Sequence, residues 1–95
     1  MSAYILGSVH GIADQARFAE YGQRIGATLV PYGGKFLAAA AGERIEGTAQ
    51  PLVSAVLEFP SMDALKQWYD CAAYRELREL RRGAVDADLL FVEGI

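Results

Sequence analysis

Cysteine is nearly missing from this chain: Cys71 is the only one in 95 residues. No internal disulfide can form and no multi-cysteine metal site can exist, so a reducing, cytoplasmic setting is expected and no metal site is. Long apolar runs are also missing. No stretch reaches the roughly 18 apolar residues of a membrane-spanning helix, and Met1 to His10 has no basic leader ahead of a long apolar segment. Neither export nor anchoring in a membrane is expected. Positive charge is thin as well, with nine Lys and Arg against 12 Asp and Glu, a net charge of -3. A basic face able to neutralise phosphates does not follow from that balance, so nucleic acid and anionic membrane are poor partners. The one basic cluster, Arg75, Arg78, Arg81 and Arg82, is interleaved with Glu76 and Glu79 and reads as a solvated helix face.

What remains is oil. Hydrophobic residues make up 53% of the chain and charged residues 22%, the balance of a folded globule and not of a disordered chain. At this length one core is the ceiling, and about two-thirds of the unfolded surface can be buried, so residues 1–95 are expected to form a single domain.

The chain punctuates itself clearly. Ala3 to Val9 is an apolar run that stops at His10-Gly11, which predicts a first strand. Asp14 is a helix N-cap, and Phe18, Gly22, Ile25 and Leu29 recur at helical spacing after it. Pro31 is expected to push Val30 out of helical conformation, with Tyr32-Gly33-Gly34 as the flexible turn that follows. Lys35 to Ala41 reads as a second strand, weakened by its alanines, and Gly42-Glu43 turns it toward Ile45-Glu46-Gly47. Leu52 to Phe59, between Pro51 and Pro60, is the clearest strand; Ser61 then caps a helix carrying Met62, Leu65, Trp68 and Tyr69. A break near Cys71-Ala72-Ala73 separates it from a further helical piece with Tyr74, Leu77, Leu80 and Ala84 on one stripe, loosened at Gly83, and Asp88 to Glu93 is the last strand.

The order strand, helix, strand, strand, helix, strand consists of two βαβ-like halves, which predicts an α+β, ferredoxin-like βαββαβ fold: an antiparallel four-stranded sheet with its helices on one face. Tyr4-Ile5-Leu6, Val53 to Leu57 and Leu89 to Val92 are apolar at nearly every position, whereas a strand with one wet face should alternate. Both faces of such a sheet need cover, and two helices shield only one. A second copy of the chain is the expected cover for the other, giving an isologous homodimer.

Six pieces then line up in order: Asp14 to Tyr21, Tyr32-Gly33-Gly34-Lys35-Phe36, Ile45-Glu46-Gly47, Leu57-Glu58-Phe59-Pro60-Ser61, Trp68-Tyr69 through Tyr74, and Val92-Glu93-Gly94. Together they resemble the family called domain of unknown function 1330, over almost the whole chain. The resemblance implies membership of the dimeric α/β barrel superfamily, with two ferredoxin-like sheets packed face to face. It implies no agreed reaction, although the wider superfamily includes cofactor-independent monooxygenases, haem-degrading enzymes and lactone isomerases. Two positions depart from the family pattern: Val53 stands where an arginine is usual, and Cys71-Ala72-Ala73-Tyr74 replaces a usual Ser-Pro-Glu-Tyr.

Two side chains are candidates for proton transfer. His10 has an ordinary pKa near neutrality and suits a general base or a single axial haem ligand, though nothing else marks a haem pocket and no cofactor is expected. Glu58 lies inside an apolar strand, where a carboxylate needs a cation, several donors or a raised pKa; Lys35, Arg81 and Arg82 are its candidate partners. Tyr32, Lys35, Trp68, Tyr69 and Arg81 are the candidate ligand contacts, with Trp68 and Tyr69 suited to lining a cleft between helices and sheet. Gly33 and Gly34 fit a positive-φ turn, and Gly22 and Gly26 fit close helix-to-sheet packing. The function expected is binding or transformation of a hydrophobic small molecule in that cleft. A dimeric interaction module without chemistry is the alternative.

Overall fold

A computed structural model describes residues 1–95. Its elements are β1 (Ala3–Ile12), α1 (Gln15–Leu29), a 3-10 turn (Val30–Tyr32), β2 (Lys35–Ala40), β3 (Val53–Phe59), α2 (Met62–Asp70), α3 (Ala72–Arg81) and β4 (Val85–Glu93). The strands form one antiparallel sheet in the order β2-β3-β1-β4, the ferredoxin-like arrangement.

The helices α1 and α2 each start where a side chain accepts an orphan N–H. Arg17 N donates to Asp14 Oδ1 at 3.0 Å, and Ala64 N donates to Ser61 Oγ at 3.1 Å. Cys71 has extended backbone (φ -69°, ψ 154°) and separates α2 from α3. Pro31 behaves differently from expectation. Val30 stays helical (φ -54°, ψ -48°), because the chain passes directly into a 3-10 turn whose first positions tolerate a missing N–H. Gly33 has the positive φ (71°) that closes this turn.

Two strands run longer than their apolar pattern suggests. β1 continues through His10 and Gly11 to Ile12, with a register shift between Val9 and Gly11 that lets pairing resume opposite Asp86 and Val85. β4 correspondingly begins at Val85, three residues before Asp88.

Alternation assigns the faces. Ala3, Ile5, Leu57 and Phe59 are buried beneath the helices with Leu65, Trp68, Tyr74 and Leu77. The opposite face has no helix over it, and the Cα envelope is only 16 Å along its shortest axis, room for one sheet and one helical layer. Cross-strand register sorts this open face into rows. Ala38, Val56, Leu6 and Leu90 form an apolar row, flanked by Lys35, Glu58, Tyr4 and Val92 on one side and by Ala40, Ser54, Ser8 and Asp88 on the other. The open face is therefore greasy along its middle and polar at its margins, a more mixed surface than the run of apolar residues implied.

Candidate functional site

The covered face of the sheet is also arranged in rows. Phe36, Leu57, Ile5 and Phe91 make a bulky row near the α2 end, and the next row is Ala39, Ala55, Gly7 and Leu89. Three of those four side chains are a methyl group or nothing. Above them α1 presents Gly22, where an added Cβ would meet no atom within 4 Å. The close helix-to-sheet contact expected of Gly22 and Gly26 is thus not made at either residue. The space instead remains open as a cavity of about 460 Å³ between α1, α3 and the sheet.

The lining is apolar except at one wall. Ile5, Ile25, Phe18, Val53 and Trp68 contribute hydrocarbon, while Tyr21, Tyr74 and Arg81 supply the polar side-chain atoms. The Tyr21 and Tyr74 hydroxyl oxygens are 2.7 Å apart and share one hydrogen bond. Burial pushes the Tyr21 hydroxyl far above the ordinary tyrosine value, and Tyr74 adds to the shift. Burial disfavours the Arg81 charge, but its interactions with the Tyr74 and Tyr21 hydroxyls outweigh this and the guanidinium stays ionised. Trp68 stacks on Tyr74 at 3.9 Å between centroids, and its Nε1 donates to Thr28 Oγ1 at 3.0 Å, so its indole is fixed on both sides.

Of the residues singled out from sequence, Trp68 and Arg81 line this cavity. Tyr69 sits behind the wall, with Arg78 stacked 4.2 Å above its ring and Phe91 at its edge. Arg78 and Arg81 are therefore packed against aromatic rings, which corrects the reading of the basic cluster as a uniformly solvated face. Tyr32 lies in a shallow surface depression with Asp63, Lys66, Gln67, Asp70 and Cys71; partial desolvation and the neighbouring thiol raise its hydroxyl pKa.

His10, Glu58 and Lys35 stand on the open face, across the sheet from the cavity. His10 Nε2 is 3.0 Å from Asp88 Oδ2, with the His10 side chain partly exposed and that of Asp88 largely so. Glu58 accepts a hydrogen bond from Tyr4 Oη at 3.0 Å and faces Lys35 Nζ at 3.5 Å. That bond to Glu58 is the main cause raising the Tyr4 pKa. Of the cations expected for Glu58, Lys35 is the partner found; Arg82 pairs with Glu79 instead, at 3.0 Å.

Tyr21 and Tyr74 are cavity residues that the sequence does not mark as ligand contacts. Nothing in a single sequence sets two tyrosines 53 positions apart against one another. Arg81 did carry a signal, since Tyr74, Leu77 and Arg81 fall at i, i+3 and i+7 on the buried stripe of α3.

Solved structures share this fold. A protein of unknown function from Rhodopseudomonas palustris superposes with a TM-score of 0.81 at 21% identity, covering 99% of this chain and 82% of that one. A dimeric ferredoxin-like protein of unknown function from Jannaschia sp. CCS1 gives 0.76 at 13% identity, covering 99% and 100%. A candidate antibiotic biosynthesis monooxygenase from Nitrosomonas europaea gives 0.67 at 11% identity, covering 100% and 99%. No curated protein matches the sequence. A family model, domain of unknown function (DUF1330), matches residues 2–95, and the chain belongs to that family.

Proposed function

We propose that this protein binds a small hydrophobic molecule in the cavity between α1, α3 and the sheet, and that it works as a homodimer whose sheets cover each other's open faces. The cavity is the observation that carries the first half. Its volume of about 460 Å³ is roughly three times the ~150 Å³ that accommodates benzene, and falls in the range of about 300–1,000 Å³ usual for small-molecule sites. An unfilled apolar space of this size forfeits dispersion contacts that Val or Leu at Ala39, Ala55 or Gly22 would make. An aromatic body of two or three fused rings restores them.

The second half rests on the apolar row Val56, Leu6 and Leu90, and on fold relatives described as dimeric. In such a dimer His10 and Glu58 act at the face between copies, away from the cavity. The Nitrosomonas relative makes catalysis a reasonable extension of binding, but fold alone assigns no reaction.

Calorimetric titration with naphthalenemethanol, a neutral two-ring probe, tests the cavity. Saturable binding is expected for the unaltered protein and its loss in Gly22→Leu, which fills the space. This substitution removes a helix glycine, so its melting temperature should hold or rise. Equal binding by Gly22→Leu would show that the probe sits elsewhere and end the proposal.

A further inference from the structure

We infer that the molecule held in this cavity carries one anionic oxygen head, a carboxylate or phenolate at the end of its apolar body, and that Arg81 is its counter-charge; this rests on the cavity reading above. Arg81 is the single charged residue among those lining the cavity. It is partly buried, yet no carboxylate lies within 4.0 Å of it. Lys35 is matched by Glu58, Arg24 by Glu20 and Glu76, and Arg82 by Glu79; Arg17, Arg44, Lys66, Arg75 and Arg78 also lack a carboxylate partner, but none of them lines the cavity. Arg81 alone brings a guanidinium to this cavity, where its polar neighbours are the neutral Tyr21 and Tyr74 hydroxyls and the surrounding hydrocarbon favours a matching anion.

The neighbouring groups agree in sign. Tyr21 and Tyr74 use one hydroxyl proton in their mutual bond, which leaves the second free to donate to a third atom. Tyr21 holds its proton at neutral pH, so this wall consists of donors: a tyrosine O–H and the N–H groups of Arg81. A wall made of donors and a cation, facing hydrocarbon on the other sides, complements an oxygen anion on a flat apolar body. Its guanidinium repels an incoming cation, and a neutral hydrocarbon makes no use of it.

Calorimetry with naphthoate and naphthalenemethanol, which share a ring system and differ in charge at neutral pH, tests the inference. The unaltered protein should bind naphthoate at least tenfold more tightly, the gain expected of a charge-assisted hydrogen bond. In Arg81→Met the difference between the probes should disappear. In Tyr21→Phe, which keeps Arg81 in place, it should shrink several-fold. Equal affinity for both probes in the unaltered protein, or a preference for naphthoate that survives Arg81→Met, overturns the inference while leaving the cavity reading intact. Failure of both probes to bind overturns the two together.

Discussion

At Gly34 one added carbon would meet three atoms at once: a Cβ there falls 2.6 Å from Phe59 Cε2, 2.8 Å from Phe59 Cζ and 3.1 Å from Leu29 Cδ2. Phe59 is fully buried against Trp68, so its ring cannot yield. Gly34→Ala should therefore lose about 1–3 kcal/mol, read as a lower midpoint in urea by circular dichroism. Gly33, one position earlier, is required for its positive φ; the Gly-Gly pair thus has two separate causes, of which only the turn was legible in the sequence. Tyr21 gives a pH-dependent prediction. Its folded pKa is raised above the unfolded value of about 10, so the stability linked to its proton is fully present below pH 10 and is lost as the unfolded chain ionises above it. Each pH unit beyond that point costs about 1.4 kcal/mol for this one proton. Melting temperature followed from pH 8 to 11 should fall more steeply in the unaltered protein than in Tyr21→Phe; parallel curves would mean that Tyr21 ionises alike in both states.

Among the elements, α1 and α3 are joined at the end where the cavity wall is polar. Arg17 Nη2 donates to Glu79 O and to Arg82 O, both at 3.0 Å, and so satisfies carbonyls that the end of α3 leaves without partners. Arg17→Ala should cost about 1 kcal/mol, given its exposure, and hydrogen exchange should quicken in the last turn of α3 before it does elsewhere. Unchanged exchange there would mean that water replaces the arginine without loss. Elements with strong punctuation were legible in the sequence: the caps at Asp14 and Ser61, the break at Cys71 and the prolines around β3 each act locally. Register was not legible. Gly7, Ala39 and Ala55 are poor strand formers read one at a time, and only cross-strand pairing sets them side by side as the floor of a cavity. Arg81 was legible as a candidate contact, and its spacing from Tyr74 puts it on the packed stripe, although the charges around it read as a solvated face.

For the whole molecule, a single chain leaves its core thin: only 11 of 95 residues are buried, and one face of the sheet is left without cover. Leu6, at the centre of the open face on the central strand β1, is 41% exposed, and Leu90 beside it is 60% exposed. Contiguous apolar side chains left wet in the middle of a sheet are unusual for a monomer and suit a surface that a second copy covers. The polar margins fit the same geometry, since Glu58 is held by Tyr4 and Lys35 and Asp88 by His10, so these groups can rim an apolar contact with their hydrogen bonds already made. Leu6→Glu separates the two cases. On a wet face it replaces one exposed side chain by another and should cost well under 1 kcal/mol; at a face-to-face contact the symmetry sets two such carboxylates in one apolar layer, where their desolvation opposes association. The unaltered chain should sediment at twice its 10.3 kDa mass and Leu6→Glu at that mass, folded by circular dichroism. A monomer at micromolar concentration before any substitution would mean that the sheet tolerates water along its apolar row.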